Sequence, residues 1–353
     1  MNRKFIALIL AVFVFASCQS DTQTKINSPK EVTIKEIFQT SRDENDNVDS
    51  PTIWHNPNGE TWLIATAKTT DVLIVNNAET GEFIKRIGGT GIKKGEMKRP
   101  NGIAVIDSLA IVVERDNHRI QLFILPSFKS VGFIGEKDLI KPYGLYVYKK
   151  ENVYNLFVTD NYETEDEQIP PPGELNKRVH QYKFTFDGKI LKSEMVKTFG
   201  DTSGSGILSI VESVYGDTLY NNLLLSEEDT VQSSVKVYDL NGKFTGKVFG
   251  KGLFKFQVEG ISLYECANGN GYWIITDQSM TENCFLLFDR KTFIYIGAFK
   301  GANTLNTDGI WLAQKPFGKF SRGAFYAVHN DGNVSAFDFG EIADSLKINL
   351  DCK

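Results

Sequence analysis

The feature that most constrains this chain is a recurring phrase: a polar residue, a glycine, then alternating apolar positions. It occurs as Asn101-Gly102-Ile103-Ala104-Val105, Tyr143-Gly144-Leu145-Tyr146-Val147, Glu259-Gly260-Ile261-Ser262-Leu263 and Asp308-Gly309-Ile310-Trp311-Leu312. After a turn, each is followed by a second apolar run, at 110–113, 155–158, 273–276 and 325–328. A third follows at 119–124, 179–184, 285–288 and 334–337, and several units add a fourth, as at 130–135, 245–250 and 295–299. Short runs rich in Val, Ile, Phe and Tyr, bounded by turn residues, read as strands. Two looser units begin at Asp49-Ser50-Pro51-Thr52-Ile53-Trp54 and near Leu208, the latter followed by runs at 223–225 and 235–240. Six four-stranded units at a period of about 40–50 residues predict an all-β fold, a six-bladed β-propeller. The last unit lacks a fourth strand, and residues 32–39 are expected to supply it and close the ring. Residues 340–346 read as a terminal turn of helix.

The propeller is expected over residues 31–353, roughly 320 residues, which suits a closed all-β domain. Hydrophobic residues make up 41% of the chain, enough to bury a large core. The net charge of −5 gives the surface no general attraction for polyanions, so nucleic acid is not an expected partner, and a monomer is expected. Beyond Cys18, the cysteines are Cys266, Cys284 and Cys352. Cys266 and Cys284 can either bridge the strands of one hairpin or stay as buried thiols, and no metal-ligand spacing links the three.

The N-terminus speaks to compartment. Arg3 and Lys4 precede an apolar run over 5–15, which leads into Phe15-Ala16-Ser17-Cys18. The run is too short to span a bilayer and reads as a signal peptide over 1–17. The cysteine after small residues resembles the lipobox of bacterial lipoproteins. That resemblance implies cleavage before Cys18, lipid on its thiol and a membrane anchor. Gln19, where inner-membrane retention uses Asp, implies an outer-membrane destination. Polar residues 18–30 read as a flexible tether.

The repeat also says where a site must be. Strand one of a blade lines the central channel and strand two returns antiparallel to it. The start of strand one and the end of strand two therefore share a mouth. Strand-one starts place Asp49, Asn101, Tyr143, Glu259 and Asp308 there. Strand-two ends place Lys68, Arg115, Asp160, Glu227-Glu228-Asp229, Gln278 and Asn330-Asp331. A ring of inward polar groups is costly unless it binds something. Acids mixed with bases point to a cation together with an anionic ligand. The four histidines, His55, His118, His180 and His329, are scattered over different blades, and no Ser-His-Asp arrangement is apparent.

Two resemblances add to this reading. Gly89-Thr90-Gly91, Arg99-Pro100-Asn101-Gly102-Ile103-Ala104-Val105 and Asp116-Asn117-His118-Arg119-Ile120-Gln121-Leu122-Phe123 together resemble one NHL repeat, a propeller blade found mostly in partner-binding proteins. Over nearly the whole mature chain the sequence is similar to β-propeller phytases. Asp49-Ser50-Pro51-Thr52-Ile53-Trp54 resembles their opening Asp-Asp-Pro-Ala-Ile-Trp, and Leu225-Ser226-Glu227-Glu228-Asp229 their central acidic motif. Val258-Glu259-Gly260, Gly271-Tyr272-Trp273, Gln278 and Asn306-Thr307-Asp308-Gly309-Ile310 resemble later elements in the same order. The resemblance implies a calcium-dependent phosphohydrolase acting on phosphate monoesters such as inositol hexakisphosphate. It implies Ca²⁺ ligands at Asp49, Glu227, Glu259 and Asp308, with Glu228, Asp229 and Asp331 beside them. Lys68, Arg115, Tyr143 and Arg178 would face phosphate, joined by Gln278 and Asn330. Glu259, Asp308, Lys68 and Arg115 would carry catalysis. Three departures remove candidate ligands: Ser50 and Gln257 stand where the family has Asp, and Leu208 falls about where a Glu-Gly pair is expected, with Glu212 nearby. The alternatives are a non-catalytic NHL-like propeller that binds a partner at the cell envelope, and another calcium propeller hydrolase such as a lactonase.

Overall fold

Alternating β-branched and aromatic residues drive six successive segments of the chain into small antiparallel sheets. The computed structural model describes residues 30–352 except residue 230, so the expected signal peptide, Cys18 and almost all of the tether lie outside the described residues. The inner strands are Val48–His55, Pro100–Ile106, Pro142–Lys150, Val214–Asp217, Gln257–Glu265 and Ile310–Ala313. Each touches the next, and the sixth touches the first, which closes the ring. The fold is a six-bladed β-propeller. Among the described residues no helix is long and apolar enough to cross a membrane.

The core lies between blades. Trp54, Trp62, Ile64 and Leu73 of the first blade pack on Ile103, Val112 and Phe123 of the second. Fully burying one such aliphatic or aromatic side chain stabilises the fold by roughly 1.5–3 kcal/mol. Strand two is the most buried element of its blade: Thr61–Ala67 is buried throughout, whereas the outer strand Phe83–Gly88 alternates between half-buried and exposed.

Ring closure differs from expectation. Residues 32–39 form not one strand but parts of two, on neighbouring blades. Phe38–Gln39 adds antiparallel to Asn333–Asp338 and completes the sixth blade, while Lys30–Ile34 runs parallel to Tyr295–Gly301 as a fifth strand of the fifth. The division follows the anchors. Ile34 sits in the core cluster of Phe285 and Phe299, whereas the Phe38 ring lies 6.5 Å from that of Tyr326. The C-terminal stretch is the helix Phe339–Leu346, N-capped by Asp338, whose carboxylate accepts from the Glu341 N–H at 3.0 Å.

The cysteines also settle differently from both expected arrangements. Cys266 pairs with Cys352, 86 residues away, and Cys284 is a free thiol. Cys266 follows the end of strand one, while Cys284 opens strand three opposite Asp277. The two therefore lie at opposite ends of their blade. The fourth blade starts later than Leu208 suggests. Its inner strand begins at Val214, and Leu208 is wholly buried in an apolar cluster with Val211.

Candidate functional site

Strand one of four blades opens with a β-bulge. The ladder slips between Val48 and Pro51, Pro100 and Ile103, Pro142 and Leu145, and Val258 and Ile261. The residues set loose are the polar residue of the repeat and its small neighbour: Asp49-Ser50, Asn101-Gly102, Tyr143-Gly144 and Glu259-Gly260. A bulge of this kind re-aims a side chain. Strand-two hydroxyls satisfy the backbone it frees. The Ser50 N–H donates to Thr66 Oγ1 at 3.1 Å and the Gly144 N–H to Thr159 Oγ1 at 2.8 Å. Such hydroxyls also stitch three of the blades to the next. Thr66 donates to the Asn101 carbonyl at 2.6 Å, Thr159 to that of Glu212 at 2.7 Å, and Ser226 to that of Glu259 at 2.7 Å. Gly260 is needed for the approach: its N–H reaches the Asp308 carbonyl at 3.0 Å, and a Cβ there would lie 2.8 Å from that oxygen.

This pattern reveals a sixth ring member. The Glu212 carbonyl occupies the place held in other blades by those of Asn101, Glu259 and Asp308. The sequence carried a signal for it. Glu212-Ser213-Val214-Tyr215 repeats the polar–small–apolar phrase with serine in the glycine position.

Carboxylates converge at this mouth. One oxygen each of Glu212, Glu228 and Glu259 lie within 4.8 Å of one another. Beside them Lys68 Nζ bridges Asp49 at 2.8 Å and Asp308 at 3.2 Å, with only 12–21% of these side chains exposed. Gln278 donates its amide to Asp308. Across the mouth Arg115 donates to the Tyr143 hydroxyl at 3.2 Å and pairs with Asp116 at 2.7 Å. Asp331 approaches the Asn306 amide at 3.5 Å and feels the Lys68 and Asp49 charges.

Burial and mutual repulsion set the protonation of the cluster. Burial, reinforced by Asp49, pushes the Glu212 carboxyl up to about 8. Burial pushes Asp308 up to about 7 against the opposing charge of Lys68, with Asp49 and Asp331 adding to the rise. Glu228 and Glu259 are raised well above the ordinary value by burial and by the neighbouring carboxylates. Burial alone would depress the Lys68 ammonium, but Asp49 and Asp308 overcome it and hold the group charged.

Five of the residues expected at the mouth or in the site are used elsewhere. Side chains alternate along strand two, so neighbouring acids part company. Glu228 faces the mouth, while the wholly buried Glu227 pairs with Lys236 at 2.9 Å and accepts the Ser209 and Ile210 N–H groups. Asp160 likewise turns inward, accepting from Ile140 and Lys141 and lying 3.4 Å from His180. Glu227 is therefore an internal cap rather than a ligand. Asp229 holds its own turn, accepting the Val231 N–H at 3.0 Å. Arg178 does not face phosphate. It is fully buried and donates to the carbonyls of Leu208, Asp160, Tyr162 and Ser209 at 2.6–3.2 Å. Asn330, at the rim with a φ of 44°, offers its carbonyl to Arg42.

The Arg178 clamp holds the segment that leads into Glu212. Arg178→Met strands four buried carbonyls and is expected to cost on the order of 3 kcal/mol, read from urea unfolding. Unchanged stability would mean that the guanidinium is not engaged there.

On the ring itself a further polar group lacks a partner among the described residues. The Asn101 side chain is 1% exposed, and neither its Oδ1 nor its Nδ2 has a hydrogen-bond partner. Neither a protein-family model nor a curated protein matches the chain.

Proposed function

We propose that this mouth binds Ca²⁺ and a phosphate monoester, and that the protein is a calcium-dependent phosphohydrolase, phytase-like in kind. The observation that carries the reading is the meeting of Glu212, Glu228 and Glu259 within 4.8 Å, beside Asp49 and Asp308. The donor set is all carboxylate oxygen, which suits a hard cation, and among the described residues no cysteine or histidine joins it. Glu212, Glu228 and Glu259 would hold the ion, with Asp308 and Asp49 at its flank. A bound Ca²⁺ would neutralise phosphate charge and lower the pKa of a coordinated water. The chain's own part is to position and to balance charge. Arg115, fixed against Tyr143, offers a guanidinium that can take two phosphate oxygens. Lys68 supplies a point charge, kept protonated by Asp49 and Asp308. The orphaned Asn101 amide supplies a further donor and acceptor on the same ring.

A second reading is a propeller that binds a ligand at this mouth without turnover. The two replaced acids favour it. Ser50 donates to Asp49 at 2.9 Å, and Gln257 donates to Glu259 at 2.8 Å and approaches Glu228 at 3.5 Å. These neutral donors partly take over a cation's task. One assay separates the readings: phosphate release from inositol hexakisphosphate and from p-nitrophenyl phosphate, with millimolar Ca²⁺ or with chelator. Calcium-dependent release supports the hydrolase. No release from either ester, with calcium binding intact, supports the binder. The Cys266–Cys352 disulfide supports export to an oxidising compartment, in line with a lipid anchor at Cys18.

A further inference from the structure

A cavity lies on the face opposite the acidic mouth. It is a groove of about 1060 Å³ between the third and fourth blades. Its walls are the end of strand one and the start of strand two of the third blade, that blade's two outer strands, and the 218–221 turn of the fourth blade. The volume is just above the usual range for small-molecule sites.

Two buried amides face this groove. Asn155 is 7% exposed and Gln181 6%, and neither side chain has a hydrogen-bond partner among the described residues. They stand on adjacent strands, Val153–Asp160 and Val179–Phe186, on the face that also carries Lys183. Their side chains are held in place by burial while their polar atoms open onto the groove, so the groove presents two unpaired amides, each able to donate and accept, to whatever enters.

The charge of the lining is cationic, four lysines against two glutamates. Lys149 is engaged by Asp107 at 2.7 Å, and Glu194 lies opposite Lys183 in the strand ladder. Lys150 and Lys183 have no ion-pair partner among the described residues, and Lys192 has only the field of Asp187. Hydroxyls of Thr185, Ser193 and Thr218 complete a wall of groups that both donate and accept. Tyr148, held by stacking on Phe157 with centroids 6.4 Å apart, offers an aromatic edge. The apolar lining residues Phe184 and Leu240 are buried behind this wall.

We infer that this groove is a binding site for an acidic oligosaccharide, whose hydroxyl pairs meet the Asn155 and Gln181 amides and whose carboxylates meet Lys150, Lys183 and Lys192. Neutral amides suit vicinal hydroxyls because each both donates and accepts, and the lysines select an anionic sugar over a neutral one. A strongly apolar ligand finds little exposed apolar wall. The site is independent of the acidic mouth and of any hydrolysis there.

The test is calorimetric titration of the full mature protein with tetragalacturonate, with maltotetraose as the neutral control and inorganic phosphate as the simple anion. Wild type should bind tetragalacturonate with a dissociation constant below about 1 mM, more weakly as salt rises. Lys183→Glu should weaken binding at least tenfold. Gln181→Leu, which keeps the volume, should weaken it several-fold at an unchanged melting temperature. Glu259→Gln, on the other face, should leave it untouched. No binding by wild type, equal binding of maltotetraose, equal binding of inorganic phosphate, or indifference to both groove variants would each overturn the assignment.

Discussion

Calcium should raise the melting temperature of this protein strongly at pH 8 and hardly at all at pH 5. The sign follows from the carboxyls of the mouth. In the metal-free fold Glu212 is pushed up to about 8 and Asp308 to about 7, from ordinary values of 4.5 and 3.8. A carboxyl whose folded pKa is raised binds protons more tightly when folded. The stability tied to that proton is fully present below the unfolded pKa, and it is lost as pH rises through the folded one. Metal-free protein should therefore lose stability across the window from about pH 4 to about pH 8. A cation reverses this by favouring the ionised forms. At one hundred times its dissociation constant it would contribute about 2.7 kcal/mol, on the order of 5 °C in a protein of this size. Scanning calorimetry at both pH values, with calcium and with chelator, reads the difference. Equal increments at the two pH values, or none at either, would remove the cation from this mouth.

Architecture was legible because it repeats. Glycine phrases at Gly102, Gly144, Gly260 and Gly309 mark close approaches between inner strands, and no local substitute hides them. Glu212 was obscured because Ser213 stands where glycine is expected, and an apolar plug around Leu208 precedes it. Recognising it required the Thr159 hydroxyl, whose bond to the Glu212 carbonyl is visible only across the blade boundary. Glu227 and Glu228 show a different limit. Composition places both at a strand end, but only the two-residue alternation of a strand decides which faces the channel. Arg178 shows a third limit. A cation near a mouth suggests an anion, yet four backbone carbonyls already claim it. Cys352 pairs with Cys266 across 86 residues, a separation that no local spacing rule anticipates.

Glu259→Gln should abolish most phosphate release while stabilising the metal-free protein at pH 8. Burial opposes the ionisation of Glu259, and the nearby charges of Asp308, Glu212 and Asp49 oppose it further. Gln257 donates to Glu259 at 2.8 Å, and an amide oxygen at the same place still accepts that bond. The substitution thus keeps shape and hydrogen bonding and removes one negative charge from a crowded, buried site. Without metal, repulsion falls and the melting temperature at pH 8 rises. With metal, a ligand charge is lost, so the calcium increment shrinks. If the ion organises the phosphate, turnover falls on the order of 10²–10³-fold, the scale on which removal of one electrostatic stabiliser acts. Asp308→Asn should lower turnover similarly but gain less stability, because it also deprives Lys68 of one of its two aspartates. A purely structural role for Glu259 predicts the reverse pattern, with stability lost and turnover kept. Thermal melts with and without chelator, alongside phosphate release by the same preparations, separate the two. Undiminished turnover in both variants would place catalysis away from this mouth.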